Sequence, residues 1–170
     1  MTELFILRHG IAVAPGTPGI ADGQRPLTPK GRKRVREIAL GLRRLDLKLD
    51  RIVTSPLPRA RSTAEIVAEV LNVASRLEIA EALKAGAAAQ AVLGWLRGRD
   101  EDRLLLVGHD PTLTDLITLL VTGTLTSQVG ALKKGGVAAL RPLPGSTDRY
   151  VLDWLATPRL IRRLAGARSR

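Results

Sequence analysis

Short apolar runs alternate along this chain with stretches in which apolar residues recur every three or four positions. Leu4-Phe5-Ile6-Leu7, closed by Arg8-His9-Gly10, reads as a buried strand, and so do Arg51-Ile52-Val53-Thr54, Leu77-Glu78-Ile79 and Leu104-Leu105-Leu106-Val107. Between them lie helical patterns. Val35, Ile38, Ala39, Leu42 and Leu45 follow Thr28-Pro29, a good cap and first-turn pair. Ala60, Ala64, Val67 and Leu71 follow Ser55-Pro56, which predicts Ser55 as the cap and puts Arg59 in or beside the first turn. Gly86 to Arg97 predicts an Ala-rich helix burying Val92, Trp95 and Leu96, and Asp110-Pro111 predicts the start of a helix carrying Leu113, Leu116, Ile117, Leu120 and Val121, with Asp110 as its cap. Gly136 to Arg141 and Tyr150 to Leu155 read as two strands joined at Pro144-Gly145-Ser146, an antiparallel hairpin. Ala14 to Gln24, rich in Gly and Pro, reads as a surface loop.

Strands alternating with helices predict an α/β three-layer sandwich: a mostly parallel central sheet with one antiparallel part and helices on both faces. The 170 residues are one domain's worth of chain, and with no linker or repeat the expectation is a single domain over 1–170. Only 2% of residues are aromatic, so the core is built from Leu, Val, Ile and Ala. No cysteine occurs, which excludes a disulfide framework and a thiolate nucleophile. The first residues enter a strand with no basic region before it, and no apolar run approaches the roughly 20 residues of a membrane span; a cytoplasmic protein is the expectation.

Charge changes the picture more. The net charge of +11 favours anionic partners, and no stacking-aromatic pattern accompanies it to favour nucleic acid. The basic residues from Arg32 to Arg36, and Arg159, Arg162, Arg163, Arg168 and Arg170 in a tail from Pro158 that contains no acid, read as a solvated face able to steer acidic phosphoproteins. In open α/β sheets, ligands bind at the carboxyl edge of the strands. Both histidines, His9 and His109, fall at such strand ends, each beside a glycine, and Arg25 and Arg59 fall where a helix begins. Together with Arg8 they would make a basin of positive charge holding two imidazoles. Arginine offers paired donors to phosphate oxygens, and phosphoryl transfer needs chiefly positioning and charge neutralisation.

Three of these runs carry a resemblance. Leu7-Arg8-His9-Gly10, Ser55-Pro56-Leu57-Pro58-Arg59-Ala60-Arg61-Ser62-Thr63-Ala64-Glu65 and Val107-Gly108-His109-Asp110-Pro111 resemble the signatures of the histidine phosphatase (phosphoglycerate mutase-like) superfamily. Arg25-Pro26-Leu27-Thr28, Ala12, Leu132-Lys133-Lys134-Gly135 and Trp154-Leu155-Ala156-Thr157-Pro158 extend the likeness to SixA-type phosphohistidine phosphatases over nearly the whole chain. The resemblance implies a phosphoglycerate mutase-like fold and two-step catalysis without metal or cofactor. His9 would be the nucleophile, with its second ring nitrogen donating to a backbone carbonyl and its pKa pushed down by neighbouring guanidinium groups. Arg8, Arg59 and His109 would grip the phosphoryl oxygens, Arg25 would close the pocket, and Glu81 is the candidate proton donor. The implied substrate is phosphohistidine in a signalling or phosphotransfer protein, such as a histidine-phosphotransfer domain. A small phosphorylated metabolite, nucleotide or polyphosphate is the alternative, and a non-catalytic phosphate- or nucleic-acid-binding module is a third reading.

Overall fold

The structure, a computed structural model, describes residues 2–146 and 148–166. Strands β1 (Glu3–Arg8), β2 (Arg51–Thr54), β3 (Leu77–Ile79), β4 (Arg103–Gly108), β5 (Val137–Pro142) and β6 (Tyr150–Ala156) form one sheet in the order β3-β2-β4-β1-β5-β6. The pairs β2–β3, β2–β4 and β1–β4 are parallel, and β5 runs antiparallel to both β1 and β6. Helices α1 (Pro29–Arg44), α2 (Pro58–Val70), α3 (Ala89–Leu96), α4 (Thr112–Thr122) and α5 (Pro158–Ala165) cover both faces, as the alternation predicts. None of the described helices is long and apolar enough to cross a membrane.

The continuous apolar run of β1 conceals a period of two. Phe5 and Leu7 join a core with Val35, Ile38, Ala64, Val67 and Ile161, beneath α1, α2 and α5. Leu4 and Ile6 join the opposite core with Val92, Leu113, Leu116 and Leu120, beneath α3 and α4. Strand β4 divides likewise, with Leu105 and Val107 on one side and Leu104 and Leu106 on the other. Burial on both faces is why neither strand shows a polar alternation.

Register fixes the location of the site. Arg8 pairs with Gly108, and Thr54 pairs with Val107, so β1, β2 and β4 end level with one another. The next residues continue that alignment, with His9 N–H donating to the Gly108 carbonyl (3.0 Å) and Ser55 N–H donating to the Val107 carbonyl (3.0 Å). His9, Ser55 and His109 therefore leave the sheet side by side.

Three expectations change. Helix α5 occupies part of what reads as a solvated basic tail: Thr157 caps it by accepting from Leu160 N–H, Pro158 opens it, and Ile161 is buried. Ile161 is the one fully buried position in this short helix, too few to make a period visible. Arg168 and Arg170 lie outside the described residues. Helix α2 opens at Pro58, with Leu57 as its cap residue rather than Ser55. Helix α4 opens at Thr112, so Pro111 is its cap residue and Asp110 lies one position too early to cap it; the Asp110 carboxylate instead pairs with Arg8 at 3.0 Å and accepts from Thr114 Oγ1 at 3.0 Å.

Candidate active site

At the carboxyl edge of the sheet, His9 and His109 lie with ring centroids 5.1 Å apart, tilted by 56°. Both are almost fully buried. His9 Nδ1 lies 2.7 Å from the Gly10 carbonyl, which can only accept, so Nδ1 carries the proton and Nε2 keeps its lone pair. Gly10 must be glycine: a Cβ there would lie 2.5 Å from Val35 Cγ2. Its N–H donates to Thr63 Oγ1 (3.0 Å), and that hydroxyl donates to the Arg59 carbonyl one turn back in α2 (2.7 Å). The end of β1 is thereby tied to the start of α2. From the other side, Gly135 N–H donates to the Arg8 and His9 carbonyls at 3.0 and 3.1 Å.

Ser55 orients the second histidine. Its Oγ accepts from Leu57 N–H (3.3 Å) and lies 2.8 Å from His109 Nε2. The Ser55 hydroxyl still has its proton to give, and with that proton directed at Nε2 the neutral imidazole carries its own on Nδ1, a buried nitrogen without a protein partner.

Three arginines stand around the imidazoles. Arg59, 3% exposed, donates through Nη1 to the Asp22 carbonyl at 2.9 Å, and its Nη2 lies 3.6 Å from Asp22 Oδ2. Arg25 donates through Nε to Asp22 Oδ1 and through Nη1 to the Val13 carbonyl, both at 2.8 Å. Arg8 donates through Nη1 to the Leu132 carbonyl at 2.8 Å and pairs with Asp110 Oδ2 at 3.0 Å. Each guanidinium is braced by fixed acceptors, yet the Nε of Arg8 and of Arg59 have no partner, as with His109 Nδ1. Buried donors without acceptors are rare, and three of them here form a set of N–H groups suited to an oxyanion.

Electrostatics keep both imidazoles neutral. His9 is pushed down to about 4, first by burial and then by Arg59, Arg8 and Lys134, against the stabilising Gly10 bond. His109 is pushed down to about 3, first by burial and then by His9, Arg59, Arg25 and Arg8. The expected direction holds, but desolvation outweighs the guanidinium groups to which the sequence assigns it. Arg59 is also lowered, by burial and then by Arg25, with Asp22 opposing.

Arg8, His9, Arg25, Arg59 and His109 are thus brought together, as their placement in the sequence predicts. Glu81 is not joined to them: it sits in a short 3-10 turn with its carboxylate 3.6 Å from Lys84 Nζ, three-quarters exposed. Asp22 and Thr63 escape the sequence reading. Asp22 opens a single 3-10 turn, Asp22–Gln24, at the end of the Gly/Pro-rich stretch, where its spacing of three residues from Arg25 is the one available signal; Thr63 interrupts the small-residue face of α2. Among the described residues no group of three or more His, Cys, Asp or Glu side chains could hold a metal ion. The site offers an imidazole with a free lone pair at the centre of fixed cationic donors, which suits nucleophilic attack on phosphorus with the phosphoryl oxygens held in place.

Residues 4–85 match the histidine phosphatase superfamily (branch 1). An uncharacterized protein of Picosynechococcus sp. is 37% identical over 142 residues, covering 82% of this chain and 84% of that protein. The phosphohistidine phosphatase SixA of Escherichia coli is 29% identical over 124 residues, covering 71% of this chain and 75% of SixA. In structure, the protein histidine phosphatase SixA complexed with tungstate superposes with a TM-score of 0.82 at 24% identity, covering 94% of this chain and 99% of that one.

Proposed function

The chain belongs to the histidine phosphatase superfamily and is a SixA-type phosphatase hydrolase, and from that premise we propose that it removes phosphate from phosphohistidine in a phosphotransfer or signalling protein, through a phosphohistidine formed on its own His9 and without a metal. The observation that carries this reading is the His9 Nδ1 bond to the Gly10 carbonyl, which presents Nε2 as a neutral nucleophile among Arg8, Arg59 and His109. In the first step Nε2 bonds to phosphorus as the bond from phosphorus to the substrate's imidazole breaks, and the leaving imidazole takes a proton from solvent. In the second, water attacks phosphorus, the P–Nε2 bond breaks, and inorganic phosphate leaves as His9 returns to its neutral form. Arg8 Nε, Arg59 Nε and His109 Nδ1 are donors for the phosphoryl oxygens in both steps, and Arg25 closes the site over them. SixA, which shares this fold, has been solved complexed with tungstate, a tetrahedral oxyanion like the phosphoryl group this site is proposed to take.

Glu81 favours phosphohistidine over phosphoesters. An alkoxide needs a proton from the enzyme as it leaves, whereas imidazole leaves far more readily, and Glu81 is solvent-exposed and paired with Lys84. A small phosphorylated metabolite remains the alternative substrate, and on it Glu81 would act as the acid. The test is a panel of histidine-phosphorylated proteins and small phosphoesters turned over in excess EDTA by the wild type and Glu81→Gln. Turnover of phosphohistidine by both, within about twofold, is expected, since proton donation contributes about 100-fold or more where it is needed. Activity confined to phosphoesters, or abolished by EDTA, would overturn the proposal.

A further inference from the structure

Between α1 and α5 runs a groove of about 530 Å³, within the size range of ligand clefts, and it adjoins the site: Gly10 and Ile11, immediately after His9 in the chain, line it together with Lys134, whose charge acts on His9. Arg34 projects from α1, Arg159 and Arg163 from α5, and the apolar floor is Val35 and Ile38. Among the described residues none of these three arginines, nor Lys134, has a carboxylate within ion-pair distance. The acid of the groove, Glu37, is already taken by Arg162. Arg159 and Arg163, four residues apart on one helix, repel each other. The fold thus gathers cations along a cleft lined by the two residues that follow His9 and leaves them unneutralised, although acids pair with arginines elsewhere on the surface.

We infer that this groove binds an acidic segment of the phosphoprotein whose phosphohistidine enters the site, so that one substrate chain is held at two adjoining places. The inference rests on the phosphoprotein reading above. Carboxylates match the planar donor fork of arginine, and the apolar floor accepts the stems of the side chains that carry them. Nucleic acid fits less well, because no aromatic residue lines the groove to stack a base.

Two short fluorescent peptides with a central histidine, identical except that the Glu residues beside it in the first are Gln in the second, test this by anisotropy. The Glu peptide should bind the wild type about tenfold more tightly. That margin should fall below about twofold in Arg34→Gln/Arg159→Gln/Arg163→Gln, at an unchanged melting temperature. Equal binding of both peptides by the wild type, an undiminished margin in the variant, or equal displacement by a single-stranded oligonucleotide of the same charge would overturn it. Neither peptide carries phosphate, so this result is independent of turnover. Hydrolysis of their histidine-phosphorylated forms reads the phosphohistidine assignment separately, and there the Glu peptide should gain the same factor through KM.

Discussion

A carboxylate beside a proposed phosphate site would work against the anion to be received, and Asp22 and Asp110 stand there at different depths. Asp110 is mostly buried against Arg8, whereas Asp22 is 65% exposed and braces Arg25 and Arg59 from the solvent side. Exposed pairs are worth little, and Arg25 keeps its bond to Val13 without Asp22. Asp22→Ala should therefore lower kcat/KM about fivefold, or ~1 kcal/mol, whereas Arg59→Ala should lower it at least about 100-fold, as for an oxyanion donor. Equal losses, measured side by side, would contradict this division. The neutral histidines make a second prediction. Their folded pKa values lie below the unfolded value, so the unfolded chain binds more protons between about 6.5 and 4, and stability falls as pH drops through that window. From pH 7 to 5 each buried histidine should cost about 2 kcal/mol. The loss read from denaturant melts should shrink by that amount in His109→Asn, and an unchanged pH dependence would refute it. At this scale Arg8, His9 and His109 are legible in the sequence because strand ends announce them. Asp22 is not, since a single turn has no period, and Asp110 next to a proline looks like a cap until Arg8 is seen beside it.

Among elements, α5 matters most, because it forms one wall of the basic groove. It lies so close on α1 that a Cβ at Gly41 would meet the Ile161 carbonyl oxygen at 2.1 Å. That oxygen belongs to backbone and cannot move without moving the helix. Gly41→Ala should cost about 1–3 kcal/mol by overpacking and weaken the preference for acidic peptides, while the pocket around His9 keeps its activity on a small phosphoester. An unaltered melting temperature would show that α5 gives way freely. The strands are legible because the core is aliphatic and each run is bounded by turn residues. Thr157-Pro158 repeats the signature of Thr28-Pro29, but a helix with a single buried residue has no periodicity to confirm it.

At the scale of the whole molecule, the parallel register of β1, β2 and β4 gathers residues separated by up to 100 positions, and the loop before Gly135 and the turn into α2 lock them from either side. Alternation in the sequence predicts this sheet and its edge; the convergence of the five cationic and imidazole side chains depends on registers that no single stretch encodes. The excess charge has a place as well: part of it surrounds His9 and part lines the adjoining groove. Everything proposed for this site turns on a bond between phosphorus and His9 Nε2. Rapid mixing with a histidine-phosphorylated protein, alkaline quench and peptide mass spectrometry measure it directly. Phosphate is expected on His9, at most a single group per chain, in the presence of EDTA, with neither label nor turnover in His9→Ala. Phosphate on another residue, or full turnover by His9→Ala, would contradict it.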